Sequence, residues 1–427
     1  MLKDEFDLDI IELGNKGDLQ NFYYKFKYKP LIVAYLDVDN FKFINDTYGY
    51  EVGDKLINDI AFRLINLSKS NFQVYKLGED EYLLLFIGYD LNRVKKIVDY
   101  IVKRCNEIHI IDDKEVAISL SAGIYKVQPN EELIEILRKA ELAMHISKMN
   151  GKSRLTIYSD EMEEYIKRKT KLMIELKKSI KRDEFYVLYQ PIYDLNEKKI
   201  TKVEALARWK NDTLGEVSPI EFIPVLEELG MINEFGILII EKIFKQMAKW
   251  KQNGLDISVN INISPLQLKY FDKHNKLIEL KDKYNIDFTK ITFELTEGQL
   301  KDLDEEERNS LNKLREMGAK ISLDDFGKGY SQLFNLLTLP INEIKIDRDI
   351  IRFLETDYKI KIMLEYFIKS IKQLGYDLVG EGIENKNQLN LLKEMGCGGI
   401  QGYFISKPIN GEEVENMVKK NILTSMI

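Results

Sequence analysis

Histidine and cysteine are scarce in this chain, and that scarcity excludes several familiar chemistries. Only three histidines occur, His109, His145 and His274, and none stands at metal-ligand spacing from another. Histidine-based zinc sites and Ser-His-Asp catalysis are therefore poor fits. Two cysteines, Cys105 and Cys397, cannot build a disulfide scaffold and fit a reducing compartment. No apolar run approaches the ~18–20 residues needed to span a bilayer. The acidic start, MLKDEFDLDI, lacks an apolar signal core. A soluble, cytoplasmic chain is expected. Positive charge is not in excess either. The net charge of −7 gives no general attraction to nucleic acid polymers or anionic membranes. Any metal must then be held by oxygen ligands, which points to magnesium or manganese.

What is present is length and pattern. The 427 residues suggest two or more domains. We read a first domain over residues 1–159, a helical junction over 160–182 and a second domain over 183–427. In the first, a strand-like run, LIVAYLDVD, ends in Asp37 and Asp39 and is followed by a helical pattern to Leu64. A hairpin pattern comes next (FQVYKLG, then EDEYLLLFIG). An amphipathic segment at 92–108, a strand at 116–125 and a helix at 130–149 complete a βαββαβ order. That order predicts an antiparallel α+β sheet with helices on one face. Acids on neighbouring strand ends, Asp37 and Asp80 with Glu81, could share a cation that holds a nucleotide triphosphate.

This half resembles the GGDEF (diguanylate cyclase) family. The matching residues are Asp37 to Lys42, Ile44-Asn45-Asp46, Gly53-Asp54, Leu77 to Tyr82 and Lys148. The resemblance implies a nucleotidyl-cyclase-like fold, with Asp37 and Asp80 as metal ligands, Asn45 and Asp54 reading guanine, and Lys148 meeting phosphates. The signature is degenerate. It reads Gly78-Glu79-Asp80-Glu81-Tyr82, where the family carries two glycines before its acidic pair. Glu79 adds a side chain at a turn that glycine eases, and adds negative charge beside a triphosphate. Lys152 and Ser153 replace the usual arginine and asparagine, and only Leu13 to Lys16 remains of the N-terminal supporting element. The inhibitory arginine-x-x-aspartate site is absent, with Lys69 and Phe72 in its place. Lost or weak cyclase activity follows. GTP as a regulatory ligand and a purely structural role both stay open.

The junction, DEMEEYIKRKTKLMIELKKSIKR, has apolar residues near helical spacing, with acids first and bases last. A helix there would join the domains semi-rigidly and could transmit a signal.

Eight β-type runs follow: FYVLYQPI, TKVEALARW, DISVNINIS, KITFELTE, KISLDDFG, EIKID, DLVGEGIE and GIQGYFIS. Helical patterns separate most of them, which is the signature of a TIM-type (β/α)₈ barrel, an α/β fold with its active site at the strand C-termini. The residues closing these runs are Gln190, Glu204, Asn262, Glu294, the Asp324-Asp325 pair, Lys345 with Asp347, Glu381 and Gln401. Singly, each reads as an ordinary loop-side residue; Asp324 and Asp325 alone read as a turn. Together they form an oxygen-ligand set for two hard cations, with a lysine to stabilise phosphate charge. Arg208 could pair with a phosphate. The chemistry such a set serves best is phosphodiester hydrolysis.

This half resembles the EAL family of cyclic-di-GMP phosphodiesterases. The matches are Gln190-Pro191-Ile192, Glu204 to Arg208, Asn262-Ile263-Ser264, Glu294 to Glu297, Asp324 to Gly327, Lys345-Ile346-Asp347, Glu381 to Glu384 and Gln401-Gly402. The resemblance implies hydrolysis of cyclic di-GMP to pGpG with two magnesium or manganese ions. Glu204, Asn262, Glu294 and Asp324 would hold one ion, and Asp324, Asp325 and Glu381 the other. Lys345 and Glu381 would orient or deprotonate the attacking water, and Gln190, Arg208 and Gln401 would contact substrate. Glu297, Asp347 and Glu384 would support the site. A homodimer is also implied. Lys328 and Gln332 depart from the family loop and point to altered regulation. The alternatives are a silent cyclic-di-GMP receptor and a bifunctional enzyme that keeps weak cyclase activity.

Overall fold

The computed structural model describes residues 13–68, 72–301, 303–327 and 339–420. Lys69, Lys328 and Gln332, which carried expectations about inhibition and regulation, lie outside the described residues. The chain divides into two compact units, Met1–Arg168 and Lys169–Ile427.

The first unit is built on β1 (Leu31–Val38), β2 (Gln73–Lys76), β3 (Glu81–Ile87), β6 (Leu120–Lys126) and β7 (Leu155–Ile157), in the order β2-β3-β1-β6-β7; β4 (His109–Ile111) and β5 (Lys114–Val116) form a separate hairpin. β1 is antiparallel to both neighbours, while β7 joins β6 in parallel. The helices are α1 (Lys16–Phe26), α2 (Phe41–Tyr48), α3 (Tyr50–Ser68), α4 (Leu91–Cys105) and α5 (Leu133–Met149). They cover both faces of the sheet, not one. Ile32, Ala34 and Leu36 pack among Phe41, Leu56 and Val98, whereas Leu31, Val33 and Tyr35 pack among Leu19, Ile136 and Met144. The cause is visible in β1, whose eight residues are all buried: a near-continuous apolar strand needs cover on both sides. Two further details differ from expectation. Gly49, at φ +89°, breaks the helix expected to run through Leu64 into α2 and α3. α1 was not anticipated, although Asn15 and Asp18 form a capping box at its start. Helix α6 follows at Glu161–Ser179.

The second unit is a closed barrel. Its strands are β8 (Phe185–Asp194), β9 (Lys199–Asn211), β11 (Ser258–Asn262), β12 (Ile291–Thr296), β13 (Lys320–Phe326), β14 (Glu343–Ile346), β15 (Asp377–Gly380) and β16 (Gly399–Gln401), with β10 (Gly215–Val217) appended to β9. β9 and β11 through β16 pair in parallel, as a (β/α)₈ pattern requires. β8 does not: it runs antiparallel to both β9 and β16. The turn at 195–198 is too short for the crossover that parallel strands need, so β8 and β9 form a hairpin. Gln190 and Glu204 therefore face each other within long strands rather than closing them. Among the described residues, no helix is long and apolar enough to cross a membrane.

Candidate active site at the barrel mouth

The centre of the mouth is one ammonium among four carboxylates. Lys345 is fully buried on β14. Its Nζ lies 3.0 Å from Glu204, 3.1 Å from Glu294, 3.4 Å from Asp324 and 2.7 Å from Glu381. A buried charge demands such partners. Burial alone would push the lysine toward neutrality, but the carboxylates hold its pKa well above the ordinary value. Glu204 is buried too, yet Lys345, Gln401 and Asn262 together hold its pKa below the ordinary value. Asn262 Nδ2 donates to Glu204 Oε1 at 2.8 Å and Gln401 Nε2 to Oε2 at 2.7 Å. Gln401 also donates to Gln190 Oε1 at 3.1 Å, and Gln190 in turn to Ser406 O at 3.2 Å.

One lysine cannot neutralise all these acids. Burial and the neighbouring carboxylates push Glu294 well above its ordinary pKa, and Asp324 is raised for the same reasons. Glu381 is pushed up to about 8, by burial first and then by Asp324 and Glu204, with Lys345 opposing. Asp324 Oδ1 is buried and accepts no hydrogen bond. An all-oxygen donor set with excess negative charge, including a carboxylate oxygen held by a single ion pair and no hydrogen bond, fits hard divalent cations.

Adjacent residues of a regular strand point to opposite faces, so Asp324 and Asp325 should not both reach one site. A register shift between Leu323 and Phe326 on the β13–β14 ladder resolves this, with Asp325 in the left-handed conformation at φ +56°. Such a bulge re-aims a side chain. Asp324, Asp325 and Glu381 each then offer an oxygen within 4.8 Å of the others.

Other expected residues lie around this centre rather than in it. Glu297 Oε2 accepts from the Gly327 amide at 3.3 Å, just beyond the bulge. Asp347 caps the short helix Arg348–Phe353 through the Asp349 amide at 2.8 Å. Glu384 lines a separate hollow of about 380 Å³ with Arg348 and Arg352. Arg208 lines a cavity of about 510 Å³ together with Glu204 and Asn262, and Ile223, Phe235 and Ile239 also line it.

Both halves of the chain are similar to known proteins. The EAL domain family model matches residues 174–408. The chain belongs to the EAL-domain family. The model of the diguanylate cyclase GGDEF domain matches residues 18–154, so a GGDEF domain precedes the EAL domain. The signaling protein YkoW of Bacillus subtilis (strain 168) is 32% identical over 391 residues, 91% of this chain and 49% of that protein. The oxygen sensor protein DosP of Escherichia coli (strain K12) is 30% identical over 406 residues, 94% of this chain and 51% of that protein. The chain thus spans about half the length of these curated relatives. Among solved structures, the PaMucR phosphodiesterase in complex with c-di-GMP is 28% identical with a TM-score of 0.54, over 57% of this chain and 99% of that one.

In the GGDEF domain, Asp37 pairs with Lys148 at the end of β1. Burial raises Asp37 to about 6 despite that lysine, and Asp80 and Glu81 add to the rise. Asp80 follows β2 in the turn to β3, and burial raises the pKa of Asp80 as well; Glu81 stands opposite Asp37. Asn45 lies on α2 with its Oδ1 buried and unpartnered, packed against Gly53 of α3, while Asp54 is exposed. Neither Gly78 nor Glu79 takes a positive φ. The turn therefore forms without a second glycine, while the charge and exposed side chain of Glu79 remain beside it.

Sequence reasoning missed three polar residues of the EAL barrel, Lys202, Asn260 and Glu343. Asn260 and Glu343 are buried and Lys202 is half-buried. Each precedes a mouth residue by two positions on its strand, a spacing that could have revealed them.

Proposed function

We propose that the EAL domain hydrolyses cyclic di-GMP to pGpG. The observation that carries this reading is the Lys345 ammonium held among Glu204, Glu294, Asp324 and Glu381 beside the Asp324-Asp325-Glu381 oxygen cluster. Kinship with EAL proteins, including a phosphodiesterase bound to c-di-GMP, supports the substrate class. Glu204, Asn262, Glu294 and Asp324 would hold one magnesium or manganese ion, and Asp324, Asp325 and Glu381 a second. When bound, such ions supply Lewis-acid stabilisation of charge on the phosphoryl oxygens.

The chain's own groups do the rest. Glu381, beside Asp324 and Asp325 at the mouth, would take the proton of the attacking water once a bound cation favours its ionised form. Lys345 donates to that carboxylate at 2.7 Å and fixes its direction. Hydrolysis adds the water oxygen to phosphorus and breaks one ester P–O bond, and the departing sugar oxygen takes up a proton. Gln190, Gln401 and Arg208 would contact the dinucleotide. The cavity beside Arg208, lined largely by apolar side chains, has the size and character for a purine base.

In the GGDEF domain we propose GTP as a regulatory ligand, read by Asn45 and Asp54 and held by Asp37, Asp80 and Lys148. Glu79 counts against cyclase turnover there. The deciding assay incubates the full chain with cyclic di-GMP and Mn²⁺, with and without GTP, and resolves the nucleotides. Formation of pGpG is expected, at a rate that GTP changes. Binding without pGpG would sink the hydrolase reading in favour of a silent receptor. Cyclic di-GMP formed from GTP in a Glu204→Ala chain would show retained cyclase activity.

A further inference from the structure

Beneath the mouth lies a second polar layer that the proposed chemistry does not use. Lys202 precedes Glu204 by two residues on β9, Asn260 precedes Asn262 on β11, and Glu343 precedes Lys345 on β14. Residues two apart on a strand share a face, so each lower residue sits one step deeper in the barrel than its upper partner. The charges are exchanged between the two layers. Above, Lys345 of β14 reaches Glu204 of β9 at 3.0 Å; below, Lys202 of β9 pairs with Glu343 of β14.

Asn260 connects the layers. It is fully buried, and its Nδ2 donates to Glu343 Oε1 at 3.0 Å and to Glu294 Oε1 at 2.7 Å. Two carboxylate acceptors fix the amide orientation, because the flipped amide would turn its oxygen on both. Asn260 Oδ1 is left buried without a hydrogen-bond partner. A barrel built only for stability would place apolar side chains at this depth, where polar groups are costly.

We propose that Lys202, Glu343 and Asn260 form a positioning relay that fixes the Glu294 carboxylate for binding a divalent cation. The inference rests on the metal-dependent hydrolase reading above. Lys202 compensates Glu343, Glu343 fixes the Asn260 amide, and Asn260 grips Glu294 from the side away from the mouth. Lys345 reaches Glu294 at 3.1 Å as the second anchor. Partners that orient metal ligands typically change metal affinity 10–100-fold when removed. None of the three touches the reacting atoms, so they are positioning residues.

The test titrates Mn²⁺ into the full chain by calorimetry, without substrate, and records the melting midpoint of each variant. Asn260→Ala is expected to weaken Mn²⁺ binding about tenfold or more. Asn260→Ser keeps one donor and should fall between Asn260→Ala and the native chain. A merely structural residue would lower the midpoint and leave the affinity of the folded protein unchanged, and that result overturns the relay. If Asn260→Ala does not fold, Asn260→Ser decides alone, and native Mn²⁺ affinity in it is the overturning result. A native chain that binds Mn²⁺ but forms no pGpG refutes the hydrolase reading while the ratio of affinities still judges the relay. A native chain that binds no Mn²⁺ overturns both.

Discussion

Replacing Lys345 by methionine tests the electrostatics of the mouth directly. The ammonium has carboxylates at 2.7, 3.0, 3.1 and 3.4 Å. At an effective dielectric constant of ~20, each contact carries about 5–6 kcal/mol of Coulomb attraction. Together these exceed the ~5–15 kcal/mol that holds a typical protein folded. The acids will therefore take up protons before the barrel unfolds, and the observable loss is limited to about 3–5 kcal/mol, as for other broken buried pairs. The loss should be larger at pH 8 than at pH 5, where Glu381 already carries a proton although Glu204 stays ionised. Millimolar Mn²⁺ should restore part of it at pH 8, because a cation replaces the missing charge. Urea unfolding followed by tryptophan fluorescence suits this measurement. The chain has only two tryptophans, and both Trp209 and Trp250 belong to the barrel core. The urea midpoint should fall by about 1–2 M at pH 8. A loss below about 1 kcal/mol at pH 8, or an equal loss at pH 5 and pH 8, would refute the argument that Lys345 is held by charge.

In the metal-free native chain, the folded state keeps a proton on Glu381 up to about pH 8, whereas an unfolded glutamate loses it near 4.5. Barrel stability should then fall by about 5 kcal/mol as pH rises from 4.5 to 8; the same fluorescence titration checks this, and Glu381→Gln should flatten the slope. Gly236→Ala should cost about 1–3 kcal/mol, because the new Cβ would lie 1.9 Å from Gln267 Nε2. That side chain is already tied to Ile232 O and the Ser264 amide, and an unchanged melting midpoint would count against the packing argument. Since Glu79 needs no positive φ, Glu79→Gln should raise GTP affinity by removing charge, and Glu79→Gly should add only what removal of the side chain contributes. A gain confined to the glycine variant in a GTP titration would return the explanation to the backbone.

The sequence made the polar residues of the barrel legible, because strand runs that close on Glu, Asp, Asn, Gln and Lys are hard to explain as packing. It did not reveal the direction of β8, since an antiparallel hairpin and a parallel crossover present the same apolar run to a reader. The two-sided cover of β1 was in principle legible: LIVAYLDV lacks the alternation of a strand with one wet face. The lower layer of Lys202, Asn260 and Glu343 is set back from the strand ends, and only the two-residue period of the barrel interior marks it in the sequence.

The Asp324-Asp325 pair shows why the rest needs tertiary structure. In an isolated regular strand the two carboxylates would diverge, and an ordinary turn would be the better reading. Their convergence depends on the register of β13 against β14, which slips between Leu323 and Phe326. The slip requires Asp325 to enter the left-handed region, which aspartate tolerates better than most residues. Gly327 follows at φ +102°, where a Cβ would strike Ile350. The residue types that permit the bulge are thus written in the sequence. The partner that makes it necessary is β14, seventeen residues or more downstream of β13. That same strand carries Lys345, so one pairing fixes both the direction of the acids and the position of the cation they surround.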